Sequence, residues 1–321
     1  MQETQSSTIQ ISIVICTYNR ASILTNTLSS FLDCARTDIV FELLVIDNNS
    51  NDNTKDVVMS FAEKEPSIKY LFESKQGLSE ARNTGIRLSK GNIISFADDD
   101  VYFETYWLLE VVRIFQDYPE TSCMGGKSIP QFEIARPDWL TDDLLTYYGS
   151  TNSGDMVKWM LYPKEYPFGL NMAFKRAVFD QIGMFDCKLG RKKRNLLSNE
   201  ELEVFWRVNQ VGLKVIYNPK ALLYHQIPIE RTNKEWVFAR YYWQGISSIV
   251  FDQLLAPQSR LVLFKEAIRE GWRLLRQSTG KYWLPRKAYW HDKAIKFPER
   301  CYQFEKLGRV KQMFYESLSF K

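Results

Sequence analysis

With 321 residues, of which 45% are hydrophobic and 25% charged, the chain has room for one α/β domain with an appendage or for two domains, and extensive disorder is excluded. A formal net charge of +4 is too mild to imply a nucleic-acid partner. The five cysteines, Cys16, Cys34, Cys123, Cys187 and Cys301, are scattered and form no Cys-x-x-Cys pair, which excludes a disulfide framework or structural zinc site and fits a reducing compartment.

The opening MQETQSSTIQ lacks the basic and apolar regions of a signal peptide, and no apolar run approaches the roughly 20 residues of a membrane span, so a cytoplasmic protein, free or peripheral at a membrane, is expected. From residue 9 short β-rich runs alternate with helical ones: IQISIVIC and a helix from Ala21 to Phe31, FELLVID and a helix from about Thr54 to Lys64, IKYLF and LSEARNTGIRLSK, then NIISFA as the fourth strand. This alternation predicts βαβ units, right-handed crossovers and a parallel sheet. Gly91 is expected to cap the third helix.

Asp98, Asp99 and Asp100 therefore end the fourth strand, the edge at which an open α/β sheet receives its ligands. A solvated acidic turn is the bland reading. Oxygen ligands in so short a run suit a hard divalent ion, Mg²⁺ or Mn²⁺, with a diphosphate supplying further oxygens.

Residues 130–167 are aromatic and irregular. KRAVFDQIG then predicts a helix, GRKKRN a basic loop, SNEELEVFWRVNQVG a helix closed by Gly212, and LKVIYNP and ALLYH two strands. Beyond Pro228 the pattern turns helical, with aromatic residues interleaved among Lys and Arg.

The stretches VICTYNR (14–20), VIDNNSNDNT (45–54), KQGLSEARNTGI (75–86), FADDD (96–100), GLNMAFKR (169–176), IGMFDCKLG (182–190), NEELEVFWR (199–207) and His225, taken in order, resemble the motif set of family 2 glycosyltransferases, inverting enzymes of the GT-A fold. The resemblance covers roughly residues 9–245. It implies a Rossmann-like, mainly parallel central sheet flanked by helices. The catalytic domain would span 1–230, with a nucleotide half at 9–100 and an acceptor-side half at 101–230, followed by a helical extension at 231–321. It also implies transfer of a sugar from a nucleoside diphosphate sugar, with a UDP-sugar the leading donor, to a hydroxyl of a carbohydrate or lipid-linked acceptor.

Residue by residue, the resemblance assigns Thr17, Tyr18, Asn19, Arg20, Asp47, Arg82, Asp98 and Asp99 to the nucleotide, Asp100 and His225 to the metal, and Gly169 and Asn171 to the donor or acceptor sugar. Glu201 is the implied base, with Glu200 as the alternative. Each has a competing reading. Tyr18 can be a packing aromatic, Arg20 an ion-pair partner, Asp47 a turn cap, Arg82 a surface arginine and His225 a structural histidine. Ser198 and Glu201 have capping-box spacing, and Glu203 and Arg207 have helix ion-pair spacing.

Arg231 and the basic run from Arg191 to Arg194 are candidates for phosphates or a lipid-linked acceptor, with a solvated loop as the default for the basic run. FKEAIREGWRLLRQ and KYWLPRKAYWHDKAIKF have the composition of helices that pack on protein or lie at a membrane interface, and packing is the safer expectation. They match no nucleic-acid recognition motif. The rival readings are an inactive sugar-nucleotide scaffold and a metal-dependent nucleotidyltransferase.

Overall fold

A computed structural model describes residues 9–278, other than 152 and 194, and 297–319. The chain divides into two compact units, one of Met1–Cys187 with Glu200–Ile229 and one of Lys188–Asn199 with Glu230–Lys321.

In the first unit the elements run β1 (Ile11–Thr17), α1 (Ala21–Leu32), β2 (Phe41–Asp47), α2 (Thr54–Lys64), β3 (Ile68–Phe72), α3 (Leu78–Leu88) and β4 (Ile93–Asp98). They continue as β5 (Val101–Phe103), α4 (Trp107–Asp117), β6 (Thr121–Phe132), β7 (Lys158–Trp159), β8 (Asn171–Lys175), α5 (Ala177–Ile182), α6 (Glu200–Gln210) and β9 (Lys214–Ile227). The strands form one sheet in the order β3-β2-β1-β4-β8-β6-β9-β5, with β7 on β9. Pairing among β3, β2, β1 and β4 is parallel, as the βαβ alternation predicts. Beyond β4 the sheet is mixed: β8 is antiparallel to β4 and β6, while β6 and β9 are parallel.

Helices cover both faces, so strand residues of both parities are apolar. Ile11, Ile13 and Ile15 of β1 join a core with α1, α2 and α4, whereas Val14 and Cys16 face a second core built from α3, α5 and α6. In β4, Ile93 and Ala97 belong to the first core and Ile94 and Phe96 to the second. Each fully buried aromatic such as Phe96 contributes about 1.5–3 kcal/mol by leaving water.

Two sequence expectations change. Gly91 does not cap α3, whose C-cap is Ser89 in extended conformation; a Cβ at Gly91 would lie 2.5 Å from the Ser12 nitrogen, so close approach to β1 is what requires glycine. LKVIYNP and ALLYH are one strand, β9, in which residues 219–221 have no register partner on β6. Pro219, which lacks an N–H, stands in that irregular stretch. Gly212 does close α6, at φ 71, with Leu213 N–H donating to the Val208 carbonyl at 3.1 Å.

The second unit contains α7 (Lys234–Leu255), α8 (Arg260–Ser278) and α9 (Phe297–Leu318). Asn233 caps α7 by accepting from Trp236 N–H at 2.7 Å. Gly245 and Gly308 let α7 and α9 meet backbone to backbone, since a Cβ on either would strike a carbonyl of the opposite helix. Leu263 and Ala267 of α8 pack with Val310 and Met313 of α9. The loop 188–199 is tied to α7 by Arg240 Nη1 on the Leu196 carbonyl and Gln244 Nε2 on Asn199 Oδ1. Among the described residues no helix is long and apolar enough to cross a membrane. Arg194 and the stretch KYWLPRKAYWHDKAI lie outside the described residues.

Candidate active site

Of the three aspartates, Asp98 is the last residue of β4, and Asp99 and Asp100 stand in the turn that follows. Asp98 follows Ile94 and Phe96 toward the α3 and α6 side, and its register partner Cys16 faces the same way. Asp99 turns to the α1 side. There its carboxylate accepts from Thr17 Oγ1 at 2.8 Å and from Arg20 Nη1, and its carbonyl accepts from Thr27 Oγ1 at 2.8 Å. Arg20 Nη2 also donates to Asp100 Oδ2 at 2.9 Å. Asp99 holds Arg20 firmly protonated, and burial pushes the Asp99 carboxyl up while Arg20 pulls it down. Arg20 is thus the partner of two buried aspartates, and not of a surface carboxylate as its competing reading had it.

On the opposite side, Arg82 is only 3% exposed and collects three carboxylates: Glu200 Oε1 at 3.0 Å, and Asp98 Oδ1 and Glu201 Oε1 each at 3.8 Å. Its guanidinium lies 5.4 Å from the Phe185 ring centroid, a cation–π contact. This replaces the surface-arginine reading of Arg82. Desolvation works against the charge, but Glu201, Glu200 and Asp98 outweigh it and raise the Arg82 pKa. Burial pushes the neighbouring Cys16 thiol up to about 12, so it is no nucleophile at neutral pH.

The two α6 glutamates differ in access: the Glu200 side chain is 4% exposed and that of Glu201 is 21% exposed. Glu201 Oε1 accepts the Gly169 N–H at 3.1 Å. A Cβ at Gly169 would collide with both Arg82 Nη2 and Glu201 Oε1, so this position accommodates the carboxylate by having no side chain. The capping-box reading of Glu201 fails, because Ser198 N–H donates to Ser247 Oγ at 2.9 Å. The Glu203–Arg207 pair does form, at 2.6 Å, and Arg207 also donates to the carbonyls of Ile182 and Met184.

His225 on β9 is buried, with Nδ1 2.6 Å from the Tyr148 carbonyl oxygen and Nε2 3.3 Å from Asp100 Oδ1. A carbonyl can only accept, so Nδ1 carries a hydrogen and Nε2 is the ring nitrogen that faces the carboxylate. An imidazole anchored through Nδ1 on a carbonyl is the usual form of a metal ligand. Among the described residues no three His, Cys, Asp or Glu side chains group to hold an ion. Asp100 and His225 are a carboxylate and an imidazole side by side at this edge, donor types that fit a divalent ion.

Asp47 ends β2 buried, its carboxylate accepting from Ser50 N–H and Tyr70 Oη, each at 2.9 Å. Asn19, at φ 51, links its loop to the next through Ser50 Oγ and Asn51 N–H, and Tyr18 beside it is half-buried. Asn171 is placed otherwise than a sugar ligand: it is buried, and its amide donates to the Lys127 and Ala221 carbonyls and accepts from Trp107 Nε1. It fastens β8 to β6 and β9. Arg191, Lys192 and Lys193 are exposed.

The structure adds residues that the motifs did not single out. Thr27 is a polar residue on the otherwise apolar stripe of Leu24, Leu28 and Phe31, which was the available signal. Asn48 accepts from Gly77 N–H and donates to the carbonyls of Glu73 and Lys75, shaping the turn into α3. Phe185 lies within the IGMFDCKLG stretch without being singled out there, and the Tyr148 carbonyl had no sequence signal, since only contact defines their roles.

Residues 12–183, more than half of the chain, match the family described as Glycosyl transferase family 2. The chain is 28% identical over 254 residues to a glucosyl-dolichyl phosphate glucuronosyltransferase of Haloferax volcanii, covering 78% of this chain and 80% of that relative. It is 40% identical over 248 residues to a validoxylamine A glucosyltransferase of Streptomyces hygroscopicus subsp. jinggangensis, covering 70% of this chain and 57% of the relative. A solved mannosyltransferase from Pyrobaculum calidifontis, in complex with GDP-Man and Mn²⁺, superposes with a TM-score of 0.58 at 17% identity, covering 96% of this chain and 88% of that one. At that identity the likeness speaks for the fold, which is GT-A. The chain belongs to glycosyl transferase family 2.

Proposed function

We propose that this glycosyltransferase moves a sugar from a nucleoside diphosphate donor, with a UDP-sugar the leading candidate, to an acceptor hydroxyl with inversion at the anomeric carbon. The observation that carries the reading is the Arg82 cluster, which gathers the 37%-exposed Asp98 at the sheet edge and the 21%-exposed Glu201 at the start of α6 around one buried cation. A base and a donor-side carboxylate are thereby oriented together while both keep access to solvent.

Glu201 takes the proton of the attacking hydroxyl, and the Gly169 N–H and Arg82 hold its carboxylate in place. Glu200, buried against Arg82, positions that arginine instead of reaching a substrate. Asp98 binds the ribose side of the donor, leaving Asp99 as the brace for Arg20. Asp47 and the segment from Thr17 to Arg20 line the nucleoside, with Tyr70 and Ser50 fixing Asp47. Asp100 and His225 would hold Mg²⁺ or Mn²⁺ beside the donor's phosphates. When bound, such an ion stabilises the negative charge that grows on the departing diphosphate. The glucosyl-dolichyl phosphate glucuronosyltransferase among its relatives supports a lipid-linked sugar as acceptor.

A screen of sugar nucleotides read by nucleoside diphosphate release, with and without EDTA, tests this. Metal-dependent release with at least one donor, lost in Glu201→Gln and Asp100→Ala, is expected. Undiminished turnover in both variants rejects the site assignment, and release of pyrophosphate instead identifies a nucleotidyltransferase.

A further inference from the structure

Helix α8 divides into three lengthwise faces at 100° per residue. One face, formed by Leu263, Ala267 and Leu274, packs against α9. Leu261, Phe264, Ile268, Trp272 and Leu275 fall within a second arc of about 80°, and all five side chains are exposed, Trp272 at 61%. The third arc, directly beside the apolar one, carries Lys265, Arg269, Arg273 and Arg276, all exposed. Arg269 makes one weak ion pair with Glu266, at 3.4 Å.

An exposed apolar stripe about 21 Å long, from Leu261 to Leu275, is unusual on a soluble helix. Its neighbours decide what covers it. A second protein surface of ordinary composition offers no reason for four cations along one edge of the stripe. An anionic lipid surface meets both arcs at once: the apolar arc enters the headgroup boundary, and the arginines and Lys265 lie level with the phosphates. The geometry points to α8 as an interfacial helix that docks the protein on anionic phospholipid bilayers. It lies in the plane of the surface, since no described helix is fit to span a membrane.

The inference rests on α8 alone and is independent of the donor and base assignments. The test is flotation of the full chain with vesicles of phosphatidylcholine and with vesicles containing added phosphatidylglycerol. Nucleoside diphosphate release from a soluble donor is measured in parallel. The protein is expected to float with anionic vesicles only, and less in high salt, where screening shortens to about 3 Å at 1 M.

Arg269→Glu with Arg273→Glu should lower partition by about thirtyfold or more. Ile268→Glu with Trp272→Glu should lower it at least tenfold by about the same logic applied to the apolar arc. Both exposed double variants should keep wild-type release from the soluble donor. Equal binding to neutral and anionic vesicles overturns the proposal, as does wild-type partition in both double variants. So does a concentration-dependent dimer, broken by Ile268→Glu with Trp272→Glu, in a protein that binds no vesicles.

Discussion

Two charged clusters flank the end of β4, and they differ in kind. On the α1 side Thr17, Arg20, Thr27 and Asp99 close on one another, and the Asp99 carboxylate is fully engaged by neighbours. On the α3 and α6 side Arg82 reaches across 118 residues of sequence to Glu200, and two of its three carboxylates retain access to solvent. In the proposed function the first cluster is a brace and the second the reactive site. Adjacent aspartates, chemically identical, have different surroundings because Asp98 is still in the strand, on the side of Ile94 and Phe96, whereas Asp99 lies in the turn beyond it and meets Thr17, Arg20 and Thr27.

The sharpest way to break this contrast is Glu201→Gln. It keeps the shape and the Gly169 hydrogen bond but removes the base, so turnover should fall by about 10²–10⁴-fold, with the melting temperature almost unchanged in calorimetry. Paired Asn substitutions at Asp98 and Asp99 come next. Asp99→Asn should cost about 1–3 kcal/mol in denaturant unfolding, because it leaves half-buried Arg20 without its principal carboxylate. Asp98→Asn should leave stability near wild type and raise the donor KM by about tenfold or more. If the two variants exchange these phenotypes, the assignment of brace and site is reversed.

Gly169→Ala should lower kcat by about tenfold through displacement of Glu201, a smaller loss than removing the base outright. Gly125→Ala, which meets Pro167 away from the carboxylates, serves as the control for general disturbance. The smallest effect is expected at Glu42. Burial would raise its pKa, but hydrogen bonds from Lys69, Ser12 and the Lys90 N–H outweigh burial and hold it below 4.5. A depressed folded pKa means that ionised Glu42 contributes stability above the unfolded value and loses it as pH falls through the lower folded one. The stability gap between wild type and Glu42→Gln should therefore shrink below about pH 4.5 in acid unfolding.

The parallel half was legible because each strand and helix there announces itself locally: FELLVID is β2, and the run from Thr54 to Lys64 is α2, as expected. The family motifs likewise pointed to the segments that meet at the β4 edge. Past residue 100 local signals weaken. A single strand, β9, reads as two because Pro219 interrupts its pattern, and GLNMAFKR contains both Gly169, at the carboxylate cluster, and Asn171, which clamps three strands. Nothing in the motif separates those two positions, since burial and partners do so.

By itself the sequence determined the alternation of strands and helices, the placement of the aspartate triplet at a strand end, and the presence of a glutamate pair at a helix start. Periodicity, turn residues and charge are properties of neighbouring residues, so they are readable along the chain. Only the tertiary structure decided that Asp99 braces Arg20, that Arg82 is buried among three carboxylates, and that Glu201 rather than Glu200 keeps access to solvent. Those outcomes depend on which side chains from distant elements exclude water from a given atom, and desolvation is a property of the assembled core.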